Sequence, residues 1–170
     1  PDTIYAELGF DDVDCHSDST GIVWVDFVTG GNPPYTYTWT NSNLDTISQS
    51  DSVINLIAGN YTVTIIDDEN CDPLSISVTI SQPTPIASTT TILNHSSCAG
   101  NQTAANGEAE VIASGGTSGY NYLWSTGSTS TNISLLFPGI YTVQITDANS
   151  CVISDTAEIL AGTNPILDVL

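Results

Sequence analysis

Residues 67–70 read Asp-Asp-Glu-Asn, and residues 11–14 read Asp-Asp-Val-Asp directly before Cys15. Carboxylate and carboxamide oxygens are hard donors, and Ca²⁺ takes six to eight of them. If Cys15 is bridged to Cys71, then Asp11, Asp12 and Asp14 are brought to Asp67, Asp68, Glu69 and Asn70, and the seven form a candidate calcium site. In the second half of the chain only Asp147 and Asn149 stand at the matching turn. No EF-hand or nonapeptide calcium pattern accompanies either stretch. The same residue types also suit a solvated turn, where Asn and Asp bond to nearby backbone. No other cofactor is called for.

The four cysteines, Cys15, Cys71, Cys98 and Cys151, allow three pairings. The duplication described below favours Cys15 with Cys71 and Cys98 with Cys151, spans of 56 and 53 residues. Bridges of that span add about 4 kcal/mol by the chain-entropy model, and they belong to oxidising compartments. Metal or nucleophile chemistry fits less well, because there is no C-x-x-C and the only histidines are His16 and His95. Neither histidine has a nucleophile and an orienting carboxylate repeated beside it, so no catalytic residues are assigned and the chain reads as a non-enzyme.

These residues must be positioned by strands. GNYTVTIIDDENC at 59–71 returns as GIYTVQITDANSC at 139–151, and GGNPPYTYTW at 30–39 returns as GGTSGYNYLW at 115–124. The offset is 85 for the second pair and 80 for the first, so the first copy carries five extra residues between Trp39 and Gly59. Such an insertion is expected in a surface loop. The copies define units 1–84 and 85–165, and residues 166–170 read as the first strand of a further unit in a longer array. Tyr35, Tyr37 and Trp39 alternate along one face of a strand, as do Tyr61, Val63 and Ile65, and no helical stripe competes. Strands are expected near 3–8, 21–28, 35–40, 52–57, 60–66 and 74–80, with counterparts in the second unit. This is an all-β pattern of two tandem immunoglobulin-like β-sandwiches. Aligning Gly21 with Gly107 turns Val23, Val25 and Phe27 inward, and a β-bulge before Gly30 absorbs one extra residue. Trp24 falls between two inward positions, opposite Glu108 or Ala109 depending on the gap. It is expected to be exposed, a candidate contact with a neighbouring chain or glycan. The aromatic ladders themselves read as core.

The chain has 19 acidic residues and no Lys or Arg, a formal charge of −19. Disorder is the common outcome of such acidity, but the abundance of Val, Ile, Thr and Tyr argues for a folded chain. A charge of this sign repels phosphate backbones, which excludes nucleic acid as a partner. No apolar run approaches the ~20 residues of a membrane span, so no membrane insertion is expected. A chain without Lys or Arg also offers trypsin-like proteases no cleavage site, which suits an extracellular protein. The absence of Met points to a segment of something longer.

Taken together, the Gly-Gly pair, Tyr-x-Tyr-x-Trp, Gly-x-Tyr-Thr-Val and the closing Asp-x-Asn-x-Cys resemble the SprB repeat of Bacteroidetes surface adhesins, large proteins moved along the cell during gliding. The resemblance covers both units almost end to end. The family's usual Gly before the last cysteine is replaced by Ser150, and the first unit ends Asp68-Glu69-Asn70-Cys71 without it. The resemblance implies type IX secretion, display at the outer-membrane surface, and an adhesive or structural role in gliding and attachment. Its implied partners are neighbouring repeats, surface polysaccharide, or the gliding and secretion machinery. Thr3, Ser19, Thr46, Ser52 and Thr156 each follow an Asp in segments similar to the O-glycosylation motif of Bacteroidetes exported proteins. The other readings left open are accessory PKD-like modules of a secreted hydrolase or carbohydrate-binding protein, and a subunit of a self-assembling extracellular filament.

Overall fold

Alternating sequences need a second sheet against which to bury their apolar face, and the computed structural model supplies one in each half of the chain. It describes residues 3–70, 72–99, 102, 103 and 105–162. Cys71 and the segment 166–170 lie outside the described residues, as does the side chain of Cys98. The chain divides into two units, Pro1–Pro83 and Thr84–Leu170.

The first unit contains β1 (Tyr5–Asp11), β2 (Gly21–Thr29), β3 (Thr36–Thr40), β4 (Thr46–Ser48), β5 (Ser52–Leu56), β6 (Gly59–Ile66) and β7 (Leu74–Ile80). All pairings are antiparallel. They give a three-stranded sheet β1-β2-β5 and a four-stranded sheet β4-β3-β6-β7. Trp39 from β3, Val63 and Ile65 from β6 and Val23 from β2 are fully enclosed between them. Burying each such side chain is worth about 1.5–3 kcal/mol. The Trp39 indole N–H donates to the Ser50 carbonyl at 3.1 Å, so the largest core residue leaves no polar atom unpaired.

The second unit repeats the plan with β8 (Ala87–Asn94), β9 (Cys98–Ala99), β10 (Gln102–Thr103), β11 (Gly107–Ser114), β12 (Asn121–Trp124), β13 (Asn132–Leu136), β14 (Gly139–Thr146) and β15 (Val152–Ile159). Its principal sheets are β13-β11-β8 and β12-β14-β15, and β9 and β10 form a small ribbon. Trp124 takes the place of Trp39, with its indole N–H on the Ser130 carbonyl at 2.9 Å.

Three details differ from the sequence-based expectation. The inserted stretch is not only loop: Asn41–Asp45 makes a tight turn, and Thr46–Ser48 returns as β4, paired to β3 at the sheet edge. The bulge expected before Gly30 is present, but it falls as early as Asp26, because Glu7 pairs with Phe27 while Leu8 pairs with Val25. Beyond it the inward and outward sides exchange. Phe27 therefore points out, 42% exposed and 5.8 Å from the Tyr5 ring, and Val28 packs against the core in its place. Counting back from the bulge also corrects the counterpart of Trp24, which is Glu110: Trp24 pairs with Ser52 on β5, and Glu110 with Asn132 on β13.

Candidate functional site

The motifs shared by the two units converge on one structural latch. In each unit the two glycines after β2 or its counterpart β11 have positive φ, 76° and 59° at Gly30 and Gly31, 72° and 56° at Gly115 and Gly116. Two successive left-handed residues reverse the chain, and few residues other than Gly tolerate this. The surroundings forbid a side chain as well. A Cβ on Gly115 would stand 2.1 Å from the Pro85 carbonyl oxygen, and one on Gly116 would stand 2.6 Å from Asp147 Oδ2. The first unit has the same contacts at Thr3 and Asp67.

Asp147 occupies the space that Gly116 leaves open. Its Oδ2 accepts the Thr117 amide at 2.9 Å, and its Oδ1 accepts the amides of Cys151 at 2.8 Å and Asn149 at 3.0 Å. Only 2% of the residue is exposed. The Thr117 amide, with help from those of Cys151 and Asn149, holds the carboxyl below the usual carboxylate range, while burial pulls the other way. Asp67 repeats the arrangement, buried and accepting the Asn32 amide at 3.0 Å. The tyrosine that opens each Tyr-x-Tyr-x-Trp ladder completes the latch: the hydroxyl of Tyr35 donates to the Gly30 carbonyl at 2.5 Å, and that of Tyr120 to the Gly115 carbonyl.

A second shared device closes the opposite end of the same strand. The Tyr61 hydroxyl donates to the Ile57 carbonyl at 2.9 Å, and the Tyr141 hydroxyl to the Phe137 carbonyl at 3.0 Å. This is the tyrosine corner of immunoglobulin-like sandwiches. The repeated Gly-x-Tyr-Thr-Val was its signal in the sequence, where only the inward face of the Tyr was read.

The calcium candidates are distributed differently from one another. Asp67 is the buried latch acid, whereas Asp68, Glu69 and Asn70 are exposed. Asp11, Asp12 and Asp14 are exposed too, and Asp12 accepts the Ser81 amide at 2.7 Å. Among the described residues no three acidic, His or Cys side chains are grouped to hold a metal ion. Asn70 and Ser150, which replace the usual Gly, have φ of 55° and 68°.

Cys15 and Cys151 are each disulfide-bonded. The two histidines are tied to backbone: His16 Nδ1 lies 3.0 Å from the Pro83 carbonyl, and the Leu160 amide donates to His95 Nδ1 at 3.2 Å. Trp24 is half-buried rather than exposed, because its ring lies against Gly9 on β1, where a Cβ would stand 2.2 Å from it. Of the glycosylation candidates, Thr3, Ser19, Thr46 and Thr156 are exposed and Ser52 is half-buried with its hydroxyl on Asp51.

Comparison with known proteins agrees with this geometry. The SprB repeat model matches residues 10–44 and 90–129, one stretch in each unit. No curated protein matches the chain. Among solved structures, the three N-terminal domains of the bacteriophage RB49 highly immunogenic outer capsid protein align with a TM-score of 0.57 at 17% identity. That alignment covers 94% of this chain and 59% of the other, so the chain spans about three fifths of that neighbour. A fragment of intimin crystallised with the intimin-binding domain of its translocated receptor aligns at 15% identity, over 93% of this chain and 64% of the other, with a TM-score of 0.41. A two-domain fibronectin type III segment of chicken tenascin aligns at 17% identity, over 89% and 97%, with a TM-score of 0.36. The chain is thus a pair of tandem immunoglobulin-like sandwiches in which one stretch of each unit matches the SprB repeat model.

Proposed function

We propose that these two SprB-repeat sandwiches are a load-bearing structural and adhesive segment of a secreted cell-surface protein that serves gliding and attachment. The observation that carries this reading is the repetition, in both units, of one latch and one tyrosine corner on a sequence matching a surface-adhesin repeat. Identical closures in successive units are what an array under tension needs, since the weakest unit opens first.

The disulfides extend the argument. Cys15 precedes β2 and Cys151 directly precedes β15, and each is oxidised. Pairing Cys15 with Cys71 and Cys98 with Cys151, as the unit plan favours, would tie the first loop to the end of the YTV strand. Such a bridge keeps most of a unit from unravelling and fits an oxidising, extracellular setting. The surface that carries no Lys or Arg resists trypsin-like proteolysis in the same setting.

Single-molecule pulling of the two-unit protein tests the reading. With bridges intact, each first-unit unfolding step should be shorter by roughly 190 Å than after reduction, from 56 residues at about 3.4 Å each. Steps of equal length before and after reduction would remove the mechanical argument. For gliding, deletion of the encoding gene should abolish the spreading of a gliding host on agar, and unchanged spreading would refute that role.

A further inference from the structure

The first unit, which carries the five-residue insertion, has a concavity beside it. One wall is the turn at Asn41–Asn43 and the other is the β5–β6 corner from Asn55 to Asn60, and Ile47 and Ile57 contribute apolar lining. Its volume is about 340 Å³, at the lower end of the ~300–1,000 Å³ of small-ligand sites. The turn is preorganised: Asn41 Oδ1 accepts the amides of Asn43 at 2.9 Å and Asp45 at 3.0 Å. Ser42 ties it to the opposite wall, its hydroxyl donating to the Asn60 carbonyl at 3.3 Å.

The polar groups left over face the same space. The carboxamides of Asn43 and Asn55 make no hydrogen bond among the described residues, and that of Asn60 engages only its oxygen, which accepts from Thr79 at 2.6 Å. A carboxamide offers two donors and two acceptor positions, which matches the dual character of a sugar hydroxyl. Aliphatic surface beside it suits the C–H face of a pyranose. No lining residue is charged. In a chain with no cation at all, an anionic ligand has nothing to offset repulsion, so the ligand is neutral.

The second unit supplies the contrast within one chain. At the offset of 80, Asn55, Ile57 and Asn60 become Leu135, Phe137 and Ile140, and the Asn41–Asp45 turn becomes a short turn closed by the Gly127 amide on the Trp124 carbonyl. Leu135, Phe137 and Ile140 are exposed, so the corner that is polar at Asn55 and Asn60 in the first unit is apolar at both positions in the second.

We propose that the groove between the Asn41–Asn43 turn and the Asn55–Asn60 corner binds a neutral mono- or disaccharide unit of a glycan. The proposal rests on the groove and its contrast with the second unit, and is independent of the gliding role. The test is a ¹H–¹⁵N titration of the oxidised two-unit protein with cellobiose, maltose, mannobiose and, as the anionic control, a glucuronate-containing disaccharide. At least one neutral sugar is expected to shift the Asn43 and Asn55 side-chain amides with a Kd in the ~mM range, while the second unit and the anionic control stay silent. Asn55→Leu installs the residue that the second unit carries at nearly the same backbone, φ 60° against 58°, so the fold is retained. It should weaken binding at least about tenfold, which corresponds to ~1.4 kcal/mol, while the protein still unfolds cooperatively and melts only somewhat lower, because Leu is less at ease than Asn in left-handed backbone. Silence of all three neutral sugars, equal shifts in both units, or binding unaffected by Asn55→Leu would each overturn the proposal. None of those results would touch the pulling experiment, so the two readings fail separately.

Discussion

Asp147 accepts the backbone amide of Thr117, thirty residues away in sequence, and so fastens the turn after β14 to the Gly-Gly reversal after β11. The carboxylate form is required, because both oxygens face N–H donors. In Asp147→Asn the carboxamide must turn its NH₂ toward one of those donors, leaving an amide unsatisfied and two donors opposed. The variant should melt several degrees lower at neutral pH. The difference also has a pH signature. An unfolded Asp titrates near 4, and the folded Asp147 lies lower. Its stabilisation is therefore fully present above about pH 4 and is lost as the pH falls through the folded value. Thermal melts of both proteins from neutral pH down to about 2 should show the gap closing only at the acid end. A gap that stays constant across that range would show that the carboxylate charge is not what matters.

The reversal itself should be intolerant of any side chain. Gly115→Ala must place a Cβ at positive φ and against the Pro85 backbone carbonyl, which unlike a side chain cannot swing away. The left-handed conformation costs ~1–2 kcal/mol and the overlap a further ~1–3. A total loss of at least about 2 kcal/mol in denaturant melts is expected. By contrast Gly127→Ala meets nothing within 4 Å and suffers only the conformational penalty at φ 84°. Equal losses in the two variants would mean that the close approach at Gly115 is unimportant.

The Tyr-x-Tyr-x-Trp and Tyr-Thr-Val alternations were legible, because a period of two fixes which side chains enter the core once a second sheet exists, and Trp39, Val63 and Ile65 are all fully buried. The bulge was legible as an extra residue before Gly30, but its place at Asp26 depends on pairing with β1, and with it went the orientation of Phe27. Trp24 looked exposed because its partner Gly9 could not be recognised without the strand pairing. Asp67 and Asp147 were the hardest. A carboxylate satisfied by amides of a distant loop and one awaiting a metal are the same letter in a turn, and only burial beside Gly31 and Gly116 separates them.

The tyrosine corner should contribute through its hydroxyl. Tyr61→Phe keeps the buried ring but removes the donor to the Ile57 carbonyl, at a cost of about 1–2 kcal/mol. Burial raises the Tyr61 pKa, so the protonated, donating form persists through ordinary alkaline conditions. Tyr141→Phe should cost less, because Tyr141 is more open and water can replace the lost donor at Phe137. Chemical denaturation of the two variants gives the order directly, and a larger loss at Tyr141 would contradict it.

Ser150 and Asn70 are the places where this chain departs from the usual Gly, and both hold left-handed backbone, φ 68° and 55°. The Ser150 amide donates to the Asp147 carbonyl at 3.1 Å, so the turn that sets the latch acid depends on that conformation. A Cβ there costs ~1–2 kcal/mol. Gly relieves it but gives back ~0.5–1 through the greater freedom of the unfolded chain. Ser150→Gly should therefore stabilise the second unit by about 0.5–1 kcal/mol. Asn70→Gly should gain less, because Asn is one of the few residues that visits this region readily. Urea melts of the single variants decide the matter. A destabilised Ser150→Gly would mean that its hydroxyl contributes more to the latch than the backbone strain costs.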